Sequence, residues 1–147
     1  MSELAIRRHS PQQRWPMTGE AWLTLVDELG RLRTDLASLA GDQADGVVDL
    51  AVIKAVRRLD VLSAVLDTAE RIYEPEAAVI GRRVTVLEAE GELVTYRLTF
   101  PGDGDPAQGW ISADSPLGSA VLGCLPGDSV EVAAPAGRRV VTVVSVE

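Results

Sequence analysis

The 147-residue chain carries 14 basic and 22 acidic side chains, a net charge of −8, and is 46% hydrophobic but only 4% aromatic. That size allows one or two small domains whose cores are built mainly from aliphatic side chains. The charge excludes coating of duplex DNA by bulk electrostatics, since phosphate binding rests on cationic neutralisation; the acid suits a basic protein channel or a metal instead.

Residues 1–16 read as a flexible arm. Arg7, Arg8, His9 and Arg14 sit there with Pro11 and Pro16, and no helical or strand period appears. The segment is either a disordered tail or a basic arm that touches a partner. His9 is the only histidine, so a His-based triad is excluded, as is a His-rich zinc site built anywhere but on this tail. No apolar run reaches the length of a signal peptide or a membrane span, so a cytoplasmic location is expected.

Residues 17–75 predict a helical coiled-coil hairpin. Trp22, Leu25, Leu29, Leu32, Leu36 and Leu39 recur at alternating steps of three and four, with Thr18 placed as N-cap and Gly41 as the stop. A second seam runs through Val52, Ala55, Leu59, Leu62, Leu66, Ala69 and Tyr73, and Pro75 forbids its continuation. Between the seams lies the acidic turn Gly41-Asp42-Gln43-Ala44-Asp45-Gly46, short enough to make the two helices antiparallel neighbours. Helices of about 22–25 residues give an arm of roughly 33–37 Å.

Residues 76–147 switch to a period of two. Arg83–Leu87 and Leu93–Phe100 predict strands, followed by the breaker-rich stretch Phe100–Pro106 and a short strand Trp110–Ser112. Ser115 to Gly123 predicts a short helix with Ser115 as N-cap, Pro116 at the first helical position and Gly123 just past its end. Cys124, the only cysteine, excludes an internal disulfide, favours a reducing compartment and reads as a buried, inert thiol. Leu125-Pro126-Gly127-Asp128 predicts a type II turn, and Ser129–Ala133 and Arg139–Val146 the last strands. The expected fold class is α+β: an antiparallel helical hairpin followed by an antiparallel β domain of four or five strands with one short helix.

The string Ile111-Ser112, Ser115-Pro116-Leu117-Gly118, Leu122-Gly123, Pro126-Gly127-Asp128, Val130-Glu131-Val132 and Pro135-Ala136-Gly137 resembles the C-terminal domain of bacterial Gre transcript-cleavage factors. Met17-Thr18-Gly19, Leu25 and Glu28-Leu29 resemble the opening of their coiled coil. The resemblance implies an FKBP-like C-terminal domain and one partner, bacterial RNA polymerase. It implies that this domain grips the rim of the secondary channel while the coiled coil enters it. Two tip acids would then help hold a magnesium ion while the polymerase's own centre cuts backtracked RNA. The factor itself would not be an enzyme. It would bind no cofactor stably, magnesium entering only in the complex, and would act as a monomer with the RNA 3′ end as a possible contact. An expectation of DNA binding also comes with the family, set against the charge noted above.

Gly41-Asp42 and Asp45 match the family's tip spacing, with Asp45 in place of a glutamate. Magnesium takes one or two carboxylates together with waters and phosphate oxygens, so such a pair suits a site completed by polymerase and RNA. The same residues also suit plain turn chemistry, with Asp45 capping the second helix. Compared with what the resemblance implies for a cleavage factor, the arm is shorter by roughly ten residues, or ~15 Å of helix. Gly46 replaces an asparagine, and Val47-Val48-Asp49-Leu50 replaces an aromatic-containing stretch. These departures suggest a paralogue that occupies the channel without efficient cleavage.

Arg31, Arg33, Lys54, Arg57 and Arg58 form a second candidate. They are either a basic patch meeting the RNA 3′ end, as the resemblance implies, or a solvated face paired with Asp27, Asp35 and Asp60. Asp114, Ser115, Pro116, Leu117 and Gly118 are the polymerase contact that the resemblance implies, and they also suit a helix cap and a core anchor. Asp103-Gly104-Asp105 reads as a solvated turn rather than a metal site. Two alternatives stay open. One is a regulator of nucleoside diphosphate kinase type, with a shortened coiled coil on the same C-terminal domain. The other is a peptidyl-prolyl isomerase, for which Phe100, Tyr96 and Trp110 are the only pocket aromatics.

Overall fold

Thr18 opens the first long helix by accepting the Ala21 amide at 3.0 Å through its hydroxyl. In the computed structural model, which describes residues 14–41, 49–72, 76–135 and 137–147, this helix (α1) runs from Gly19 to Gly41 and the second (α2) from Leu50 to Asp67. The cap of α2 is Asp49, whose carboxylate accepts the Ala51 amide at 3.1 Å, so Asp45 is not that cap. At its other end α2 stops at Asp67, short of the seam predicted through Tyr73. The backbone beyond it has a different partner. Ala69–Arg71 (β2) pairs in parallel with Trp15–Met17 (β1), with Trp15 N–H donating to the Thr68 carbonyl and Ile72 N–H to that of Met17. Residues 15 and 16, read from sequence as part of the loose arm, are therefore strand.

The C-terminal sheet contains Arg83–Leu87 (β3), Leu93–Thr99 (β4), Trp110–Ser112 (β5), Ser129–Ala134 (β6) and Gly137–Val146 (β7), in the order β5-β4-β3-β7-β6. Four of the strands are antiparallel, as expected, but β5 lies parallel to β4, with Arg97 opposite Trp110. The connection through residues 100–109 reverses the chain twice, using a 3-10 turn at Pro106–Gln108 capped by Asp105. Opposite Thr85 and Val86, β7 carries one extra residue, Val144, between Val143 and Ser145, a bulge that bends β7 against β3. Gly127, at φ 97° in the third position of Leu125–Asp128, satisfies the type II turn, and the Asp128 amide donates to the Leu125 carbonyl at 3.0 Å.

Alternation puts Val84, Val86, Leu98, Val141 and Val143 on the inner face of the sheet, all at 1% exposure or less. Helix α3 (Pro116–Val121) covers that face with Leu117 and Val121. The base of the hairpin closes the same core: Leu25, Leu29, Leu62 and Val65 belong to one continuous cluster with the sheet residues. Met17 links the two through a bridge to Ile80, flanked by Thr18 N–H to the Ile80 carbonyl and Ile80 N–H to the Pro16 carbonyl. The hairpin thus leaves the β domain from a shared hydrophobic floor.

Candidate functional site

Asp42 and Asp45, the candidate magnesium ligands, lie outside the described residues, between the end of α1 and the Asp49 cap of α2. Among the described residues no group of three or more His, Cys, Asp or Glu side chains is placed to hold a metal ion. The Asp103-Gly104-Asp105 loop has structural tasks: Asp105 caps the 3-10 turn and Asp103 receives an arginine.

That arginine is Arg58. Its guanidinium forks across three acceptors on two other elements. Nε donates to Glu28 on α1 at 3.2 Å, Nη1 to the Pro101 carbonyl at 3.1 Å and Nη2 to Asp103 at 2.7 Å. Burial alone would lower its pKa, but the hydrogen bonds and charges of Asp103 and Glu28 outweigh that and raise it. Gly102, at φ 86° beside the guanidinium, lets the Phe100–Asp103 turn present a carbonyl and a carboxylate together. Arg58, one of the basic residues expected to form a patch, thus commits three of its five donors to the β domain and to α1. The rest of that patch divides. Arg31 pairs with Asp27 at 3.1 Å on a solvent-exposed surface. Arg33, Lys54 and Arg57 are exposed, and among the described residues none has a carboxylate within 4.0 Å. Asp35 and Asp60 form no ion pair there either.

The stretch Asp114–Gly118 is a tightly determined corner. The Ser115 hydroxyl accepts the Gly118 amide at 3.0 Å and donates to the Ser112 carbonyl at 2.7 Å, while Ser119 donates back to the Ser115 carbonyl at 2.7 Å. Pro116 occupies the first helical position and Gly123, at φ 81°, follows the cap residue Leu122, as predicted. A Cβ on Gly118 would run into the Ser112 carbonyl oxygen and lie 2.9 Å from the Ser112 carbonyl carbon. Leu117 is 7% exposed and packs into the core. Of the five residues expected to contact a partner, Leu117 and Gly118 thus hold the corner from inside, and Asp114 and Pro116 are the two that face solvent. Elsewhere on the sheet, Glu88 gathers Tyr96, whose hydroxyl donates at 3.4 Å, and Arg139 at 3.5 Å. Sequence reading missed both clusters: the partners of Arg58 lie 30 and 45 residues away, and Glu88, only 8 residues from Tyr96, meets Arg139 from the last strand.

A paired-helix arm on a shared core, with a capped helical corner on the β domain, defines a two-part protein: a compact domain and an arm that projects from it. The GreA/GreB transcription elongation factor C-terminal family model matches residues 74–147. A GreA from Geobacillus kaustophilus is 31% identical over 157 aligned positions, covering 92% of this chain and 98% of its own. A GreB from Xanthomonas axonopodis pv. citri is 38% identical over 103 residues, 69% of this chain and 60% of its own. Among solved structures, GreA factor homolog 1 (Gfh1) of Thermus thermophilus matches at 24% identity over 92% of this chain and 99% of that one, with a TM-score of 0.44, a superposition too loose to decide anything about function. The chain belongs to the GreA/GreB family of transcription elongation factors.

Proposed function

We propose that this chain regulates transcription elongation by binding bacterial RNA polymerase. Its β domain docks at the rim of the secondary channel through the Asp114–Gly118 corner, and its hairpin occupies the channel. Family membership across both parts of the chain carries this reading. The factor brings no active site of its own and acts through the polymerase. Occupancy of the channel, rather than efficient stimulation of RNA cleavage, is its main effect. Three features support that choice: Asp45 stands where the family pattern has a glutamate one methylene longer, Gly46 follows it, and the arm is short. The 157 aligned positions exceed the 147 residues of this chain, so the GreA relative carries residues that this chain omits. The 23 residues of α1 extend about 35 Å.

Asp42 and Asp45 are what the tip would offer to a magnesium ion whose other ligands belong to polymerase and RNA. Purified bacterial polymerase halted on a backtracked transcript separates the readings. The expected outcome is that the protein slows RNA synthesis while the rate of RNA shortening stays at its intrinsic value, with or without Asp42→Ala and Asp45→Ala. Shortening that accelerates with the protein and stops accelerating in the double variant would establish the cleavage reading in its place. No binding to polymerase at all would remove the proposal.

A further inference from the structure

We infer that Arg58 is a positioning residue that fixes the direction in which the hairpin leaves the β domain. The ties at the base of the hairpin cluster at Met17, Thr18 and Ile80, where the two parts share their core. Arg58 lies further out, about 15 Å of helix before the α2 cap residue Thr68. It is the outermost polar tie between arm and domain among the described residues. A tie at that distance resists tilting far better than one at the pivot. A tilt of about 10° at the base moves the end of an arm about 35 Å long by about 6 Å, roughly one helical pitch.

The chemistry suits a fixed angle. The guanidinium is planar and its three bonds leave in different directions, to α1, to a backbone carbonyl and to a side chain of the 100–103 turn. Glu28 locks α1 to α2 at the same height, so the two helices move as one. The Arg58 side chain is 23% exposed, and Asp103 and Glu28 are 34% and 30% exposed. These pairs are therefore less screened than the solvent-exposed Arg31–Asp27 pair. A lysine at this position could not bridge the three acceptors at once.

The geometric claim stands on the chain alone; its transcriptional consequence rests on the polymerase reading above. The test is a pulsed electron-spin distance measurement on the full chain carrying Ser38→Cys on α1 and Glu90→Cys on the β3–β4 turn, the native Cys124 being buried. A single narrow distance distribution is expected, broadened or displaced in Arg58→Ala, less so in Arg58→Lys and in Asp103→Ala. Should Arg58→Ala fail to fold, Asp103→Ala carries the test. Distributions unchanged in the variants that fold overturn the inference. On polymerase, the same variants are expected to bind within about threefold of the parent while their effect on RNA synthesis falls about tenfold, a split that a docking residue would not give. Parallel loss of binding and effect also overturns it. A parent protein without effect on polymerase removes the functional reading, and the distances still decide this one.

Discussion

The two ends of the hairpin use one heptad and are held differently. At the base Leu25, Leu29, Leu62 and Val65 are at 2% exposure or less; further out Leu32, Leu36, Leu39, Val52, Ala55 and Leu59 are all half-buried. A leucine between two helices is covered on one side only. Full burial needs a third layer, and the β domain supplies it only at the base. The arm is therefore anchored by a three-layer core and projects on a two-layer seam.

Truncation should expose that difference most strongly. Leu62→Ala is expected to destabilise the protein by about 4 kcal/mol, since it removes a fully buried side chain and leaves a cavity walled by other elements. Leu36→Ala on the same seam should cost about 1 kcal/mol, since water already reaches it and alanine favours the helix. Urea denaturation of both variants gives the two values. Equal losses would mean that the outer seam is packed as tightly as the base.

A pair of glycines sharpens the contrast further. Gly30 lies in the middle of α1 with nothing within 4 Å of where a Cβ would stand, so Gly30→Ala is expected to stabilise by about 0.5–1 kcal/mol through backbone entropy. Gly118 is helical too, but its Cβ would meet the Ser112 carbonyl, so Gly118→Ala is expected to cost about 3 kcal/mol. One substitution should thus carry opposite signs in arm and domain, read as shifts of the denaturation midpoint. A neutral Gly118→Ala would show that the Asp114–Gly118 corner yields easily and is less suited to present a fixed contact.

What could be read from the sequence followed the range of the interactions. The seams, the Thr18 cap, the Ser115-Pro116 start, the Gly123 stop and the Gly127 turn are decided within a few residues, and each has a local signature. Strands β1 and β2 have three residues each and pair across the whole hairpin, so no period announces them. The parallel β5 depends on the path of the 100–109 loop, and Asp49 rather than Asp45 caps α2 although both are acids beside a helix start. The partners of Arg58 escaped sequence reading for the same reason: they lie 30 and 45 residues away, while its neighbours Lys54 and Arg57 are exposed. Of the candidate residues, what was legible is the local bonding of the Ser115–Gly118 corner.

The smallest expected effect lies at the rim of the sheet, which is neither sealed core nor open arm. Tyr96 has its pKa raised above the ordinary 10.0, first by burial and then by the negative charge of Glu88, with Arg139 opposing. A raised pKa means that the folded state holds the proton more tightly than the unfolded chain does. The stabilisation is therefore fully present below the unfolded value and is lost as pH rises through the folded one. Because Tyr96 is only partly buried, the contribution should be well under about 1 kcal/mol. The chain has 2 tyrosines, so the difference between the parent and Tyr96→Phe in near-ultraviolet phenolate absorbance isolates this group. Glu88→Gln should move the transition part of the way back toward the ordinary value, because burial remains after the charge has gone. A complete return would assign the whole shift to Glu88 and make this rim as wet as the outer hairpin; no movement would assign it to burial and make the rim part of the core.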